Sequence, residues 1–258
     1  MVNRKRSLQK CLKHNLTNYI ALSLLLLMPT TALANGNNNN SDDPPPQTRG
    51  TSGGSRGCET ESEASSSSIP NIILLAPTQS YGQTLANSPT FAWFVKDTSS
   101  WQMEFRLYEY NQATKQSRLV KEIKDENFKS SPGIMILSLP SQELLVGRRY
   151  LWQVELVCDA NRPSGNPFAI AAMKVVLTPP EVKNQLSQSN DVLKVANLYK
   201  KADLWYKTVE IALSSNNEPT LKELRKSILE QVATGTQTEL REQTKAALTN
   251  STIHQLQR

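Results

Sequence analysis

Two adjacent prolines, Pro179 and Pro180, divide this chain into stretches whose hydrophobic periods are incompatible with one repetitive architecture. Before them the apolar residues recur at every second position. Trp101, Met103, Phe105 and Leu107 alternate with Gln102, Glu104 and Arg106, and Tyr150, Trp152, Val154, Leu156 and Cys158 share one parity. A period of two marks strands with one face on a core. Further short runs, Ile72 to Leu75, Phe91 to Val95, Ile134 to Leu139 and Phe168 to Leu177, are separated by turn residues such as Ser131-Pro132-Gly133. Two prolines cannot continue a strand ladder. Beyond them Val192, Val195, Tyr199, Ala202, Tyr206, Val209 and Leu213 recur at three and four, the stripe of an amphipathic helix. Asn190 or Asp191 can cap its start, and the stripe is open between one long helix and two hinged near Asp203, two being favoured. Pro219 opens another helix, with Leu221, Leu224, Ile228 and Val232 on one side, and the polar tail after Thr234 reads as a frayed last helix.

One local pattern narrows the β half. In Leu144-Leu145-Val146-Gly147-Arg148-Arg149-Tyr150, a Gly stands three residues before the Tyr and a Leu three before that. This spacing resembles the tyrosine corner of immunoglobulin-like and fibronectin type III domains, where the Tyr hydroxyl bonds back to an upstream backbone group. The fold class expected is therefore α+β: an immunoglobulin/fibronectin III-like antiparallel β-sandwich over residues 69–180, then a small α-helical region over 181–258.

The first 68 residues are not part of that body. Arg4, Lys5, Arg6, Lys10 and Lys13 precede an apolar run from Tyr19 to Met28, and Ala32-Leu33-Ala34 follows. That is the layout of a signal peptide over residues 1–34, and its apolar run is too short to span a bilayer. No membrane span is expected after cleavage, and the destination is extracytoplasmic, periplasmic or secreted. Residues 35–68 hold no Val, Ile, Leu, Phe, Trp or Tyr, so they read as a disordered Asn/Pro/Gly/Ser-rich tether. Losing the leader removes five bases and no acids, which leaves 24 Lys and Arg against 23 Asp and Glu. A near-neutral chain offers no basic face for nucleic acid. Cleavage also removes Cys11 and leaves Cys58 and Cys158. Two cysteines in an exported chain most simply make one disulfide, two free thiols being the alternative. Cys158 shares the parity of Trp152, so the bridge would lash the tether to one end of the sandwich.

An ordered set of fragments resembles a secreted family found mostly in cyanobacteria and catalogued as domain of unknown function 928. They are Arg56-Gly57-Cys58, Leu75-Ala76-Pro77, Ser88-Pro89-Thr90-Phe91 with Trp93, Pro132-Gly133-Ile134, Tyr150-x-Trp152, Cys158-Asp159 with Arg162, Leu198-Tyr199, Ala202 and Trp205-Tyr206. The resemblance covers about Arg56 to Leu213. It implies the order of the fold and export, and it carries no activity. The family usually has Gly where this chain has Asp203.

Residues able to do chemistry are sparse. His14 leaves with the leader and His254 lies four residues from the end, so His-based triads and His-metal clusters have no basis. No G-x-S-x-G elbow, P-loop or G-x-G-x-x-G occurs, and no catalytic, cofactor-binding or metal residue is assigned. Asp159 to Gly165 lacks the Gly and the final acid of a calcium loop and reads as a strand-end turn, with Asp159 and Arg162 as a turn ion pair. Glu104 and Glu155 face away from the apolar parity and could meet across a sheet as the paired carboxylates of a carbohydrate-active enzyme; outer-face solvation is the plainer reading. Tyr108 and Tyr110 share that outward parity and are the candidate partner contacts, whether exposed or covered by the helices or the tether. The function expected is a non-catalytic module that contacts an envelope protein or glycan. An alternative use for the helical stripe is dimerisation, the oligomeric state being open.

Overall fold

A computed structural model describes residues 58, 69–86, 89–139, 144–214 and 219–256. The chain divides into units Met1–Ser41 and Asp42–Arg258, and every described residue belongs to the second. The expected leader 1–34, and the tether 35–68 apart from Cys58, lie outside the described residues.

The period-two runs pair as their alternation requires. One sheet is built from β1 (Ile72–Leu74), β3 (Thr90–Val95), β6 (Gly133–Ser138) and β9 (Ile253–Leu256), in that order. The second has the order β2 (Gly82–Thr84), β8 (Phe168–Val175), β7 (Arg149–Val157), β4 (Gln102–Asn111) and β5 (Gln116–Ile123). Phe91 and Trp93 from the first sheet meet Phe105 and Trp152 from the second in one continuous core. The pairing is antiparallel except at two edges. There β2 runs parallel to β8 and β9 runs parallel to β6.

The corner read from the sequence is present as a contact. Gly147 takes φ +79°, and the Leu145 N–H donates to the Tyr150 hydroxyl at 3.0 Å. A positive φ is free of Cβ cost only at Gly.

The helices are α1 (Pro180–Leu186), α2 (Val192–Lys201), α3 (Trp205–Ser214), α4 (Lys222–Thr234) and α5 (Arg241–Thr249). Asp191 caps α2 by accepting from the Lys194 N–H. The stripe does break into two helices, and Asp203 makes the turn with φ +57°. Asp is among the few residues with a side chain that tolerate this left-handed region. The stripe is deeply buried only in its second half. Val192 is exposed, whereas Trp205, Tyr206, Val209, Ala212 and Leu213 are in the core.

Tyr206 keys the helices to the sandwich. Its ring stands edge-on to Phe91 and to Trp152, and its hydroxyl accepts a bond from Trp152 Nε1 at 2.7 Å. Gly82 makes room, since a Cβ there would lie 2.7 Å from the Tyr206 ring. Next to it, Trp205 Nε1 donates to Leu75 O at 2.9 Å. Ile73, Ala92, Phe94, Ile134 and Ile136, on the outward parity of the first sheet, are buried in the same cluster as Leu221, Ile228, Val232 and Leu248 of the helical part.

The region 181–258, expected to be helical throughout, ends differently. After α5 the chain returns to the sandwich as β9, beside β6. Gly133, with φ +116°, lets Thr252 O approach to where a Cβ would be, and Ile134 N donates to that oxygen at 2.8 Å. The helices therefore share a core and a sheet with the β part.

Candidate functional site

The two outer faces of the sandwich are treated unequally. That of the first sheet is buried, with α3 packed against β2 and β3. Among the described residues, no helix packs broadly on β4, β5 or β7. The strand registers arrange the outer face of the second sheet into three bands, the first of them two registers deep.

The first row is ionic. Glu104 lies opposite Glu155, and Arg106 opposite Gln153 and Glu122. The Arg106 guanidinium bonds all three carboxylates: Nε to Glu122 and Nη1 to Glu155, each at 3.0 Å, and Nη2 to Glu104. Lys124 holds the other oxygen of Glu122 at 3.1 Å. Partial burial works to lower the Arg106 pKa, but Glu122 and Glu155 outweigh it and hold it above its ordinary value. Glu122 is held below the usual carboxylate range by Lys124 and then Arg106. Glu155 also accepts from Asn166 Nδ2 at 3.0 Å, and Asn166 Oδ1 receives the N–H groups of Cys158 and Asp159. The ionic row is thus tied to the strand end where Cys58 and Cys158 are joined. The neighbouring loop is the expected turn: Asn161 N donates to Asp159 Oδ1, and Arg162 sits 3.9 Å from Asp159 Oδ2.

The second row is apolar. Leu119, Tyr108, Leu151 and Ala172 follow one another across β5, β4, β7 and β8, and Tyr81 extends the row ahead of β2. Tyr108 is half-buried, and burial raises its hydroxyl pKa against the opposing charge of Arg106. Leu119 is exposed, as is Phe168 beside the ionic row. The third row is Tyr110, Arg149 and Lys174, with the Arg149 guanidinium 5.4 Å from the centre of the Tyr81 ring, a cation–π distance.

Both candidate tyrosines therefore lie on the outer face, but they differ in access. Tyr110 is only 8 % exposed, so of the two it is the covered one. It packs with Tyr81, Leu151 and Ala172 in a small cluster of its own, apart from the sandwich core. Glu104 and Glu155 do meet across the sheet, on a guanidinium. Arg106 shares their parity and was visible in the alternation, but its role depends on Glu122. That residue sits on β5, an edge strand whose exposed, polar sequence gives no period-two signal. Tyr81 carried no signal, because β2 is three residues long.

A family model described as Domain of Unknown Function (DUF928) matches residues 51–242. No curated protein matches the chain. Among solved structures, an LPMO from Kitasatospora papulosa is 10% identical with a TM-score of 0.28, covering 40% of this chain and 55% of its own. The chain thus spans little more than half the length of that protein. A superoxide reductase (neelaredoxin) from Ignicoccus hospitalis is 15% identical with a TM-score of 0.26, covering 41% and 79%. An AA10 lytic polysaccharide monooxygenase from Streptomyces lividans is 16% identical with a TM-score of 0.25, covering 45% and 69%.

Proposed function

We propose that this chain, which belongs to the DUF928 family, is a non-catalytic exported module that binds an envelope protein or glycan through the outer face of its second sheet. The observation that carries this reading is the row Leu119, Tyr108, Leu151, Ala172 and Tyr81, which crosses the sheet with no helix among the described residues packed broadly over β4, β5 or β7. A rigid sheet presenting a partly open Tyr between apolar and charged neighbours suits either a sugar ring or an apolar anchor from a protein. The body is read as an immunoglobulin/fibronectin III-like sandwich. In support, the sheets divide the strands as β1-β3-β6 and β5-β4-β7-β8, and Tyr150 makes its corner contact at the head of β7. An extracytoplasmic site agrees with the Cys58–Cys158 bridge and with the absence, among the described residues, of any helix long and apolar enough to cross a membrane.

The second reading is a carbohydrate-active enzyme using Glu104 and Glu155, favoured by their direct cross-strand pairing. Against it, Arg106 occupies both carboxylates. One experiment separates the two. The processed chain is passed over cell-wall polysaccharides and over solubilised envelope proteins, and scored for retention and for new reducing ends. Retention that falls at least tenfold in Tyr108→Ala, with melting temperature unchanged and no new ends, supports the binding module. New reducing ends that vanish in Glu104→Gln overturn it, as does retention indifferent to Tyr108.

A further inference from the structure

We propose that the end of the sandwich carrying the tyrosine corner docks on an anionic lipid surface, inserting Leu145, Val146 and Leu177. These side chains belong to neither the core nor the outer-face rows, and they are 59%, 45% and 73% exposed. Backbone bonds bring them together. The Gly147 N–H donates to Val175 O and the Val175 N–H to Arg148 O, at 2.9 and 3.0 Å, so the corner loop lies against the end of β8, two residues short of Leu177. The loop is held from behind as well, by Leu145 N on the Tyr150 hydroxyl and Leu144 N on Ala86 O. Exposed aliphatic side chains on a fixed, projecting corner are an interaction surface rather than a folding defect.

The charges around that corner select the partner. This is the end where β4 finishes, β5, β7 begin and β8 finishes. It gathers Lys115, Arg118, Arg148, Arg149 and Lys174, with Glu109 shared by Arg118 and Arg148 and Asp203 bonded to Gln83, the cross-strand neighbour of Lys174. Arg118 and Arg148 remain 73% and 59% exposed. The opposite end carries the disulfide and the Arg106 cluster, whose three carboxylates are met by Arg106 and Lys124. Cations around protruding aliphatic groups suit the boundary between anionic headgroups and acyl chains, where each cation adds attraction and each inserted side chain loses water contact. A soluble polyanion would use the cations but not the leucines. A sugar would want a ring to stack on, and the corner offers none.

The test is sedimentation of the processed chain, begun at Asn35, with vesicles of phosphatidylcholine alone or mixed with phosphatidylglycerol. Retention is expected only on the mixed vesicles, weakening as salt rises. The pair Arg118→Gln/Arg148→Gln should weaken it roughly 25-fold, about fivefold per cation. The pair Leu145→Ser/Leu177→Ser should weaken it about tenfold or more. All four side chains are mainly in solvent, and circular dichroism unchanged from the parent shows that both variants are folded. No retention on the mixed vesicles, equal retention on neutral ones, or loss with the arginine pair while the leucine pair binds normally overturns the proposal. Because none of these residues lies in the tyrosine row, failure here leaves the outer-face reading untouched, and the converse holds.

Discussion

Replacing Tyr206 by Phe isolates the bond that keys the helices into the sandwich. The Trp152 indole N–H donates to the Tyr206 hydroxyl at 2.7 Å, and both side chains are essentially sealed from solvent. Burial pushes that hydroxyl far above the ordinary phenol range, so it stays protonated through any usable alkaline pH. Phe preserves the ring contacts with Phe91 and Trp152 but strands a buried donor. Leaving such a group unpaired costs ~1–3 kcal/mol. For a folded body of this size, a loss of about 2 kcal/mol lowers the melting temperature by roughly 4–8 °C. Urea unfolding followed at once by far-ultraviolet circular dichroism and by tryptophan fluorescence measures the loss. It also shows whether helices and sheets still melt together. Trp152→Phe, alone and in combination, completes a double-mutant cycle with an expected coupling of about 1–2 kcal/mol. The same ring is probed from its other side by Gly82→Ala. The new Cβ would sit 2.7 Å from the ring and 3.0 Å from Pro77, costing ~1–3 kcal/mol in Tyr206 and much less once Tyr206 is truncated. A coupling below about 0.5 kcal/mol, with the Gly82→Ala cost independent of Tyr206, would refute the claim that Tyr206 is the key.

Two more expectations follow from named contacts. Cys58→Ser or Cys158→Ser opens a loop whose ends are 100 residues apart, so stability should fall by up to ~4–5 kcal/mol on the chain-entropy argument; thiol titration with and without reductant, paired with melting, checks both bond and cost. Glu122 has its folded pKa held below the unfolded value by Lys124 and Arg106. Its contribution is therefore complete above the ordinary carboxylate pKa and is lost as pH falls through the lower folded value. Glu122→Gln should accordingly be less stable than the parent near neutrality and converge with it in acid, which denaturation midpoints taken across that range would reveal.

How much of this was readable in the sequence depended on whether an element had two distinguishable sides. The sequences of β4 and β7 alternate along long runs, and burial follows the alternation in β4 while outward-parity Leu151 and Glu155 of β7 are buried too, so parity alone placed Phe105 and Trp152 inside and Tyr108 outside. The corner was legible because Gly147 and Tyr150 each answer a local steric or hydrogen-bonding need, independent of the rest of the fold. β2, β5 and β9 gave no signal. They are short or mostly exposed edge strands, and their pairing comes from neighbours distant in sequence. That Tyr110 stayed open between exposed and covered has the same origin. Parity says which face a side chain leaves from, whereas its burial comes from Tyr81, Leu151 and Ala172 on other strands. At Asp203 a tight turn forms at φ +57° without a Gly. A short polar side chain bears that conformation at modest cost.

The helical stripe shows best where sequence reasoning stops. Its spacing revealed an apolar face but not what covers it, and dimerisation was one candidate. The structure gives that face an intramolecular partner, since Trp205, Tyr206 and Val209 join the core of the sandwich. The dependence runs both ways. Without α3 to α5 the first sheet would turn Ile73, Phe94, Ile134 and Ile136 to water, and without β9 the edge of β6 would stand unpaired. A chain stopped at Pro180 would therefore be an aggregation-prone half rather than a free domain. What remains for partners is the surface the fold does not use itself: the outer face of the second sheet and the cationic corner at its end. Those two surfaces adjoin through Tyr110, Arg149 and Lys174. A body seated by its corner would thus hold the tyrosine row upright beside the surface, with the disulfide end turned away from it.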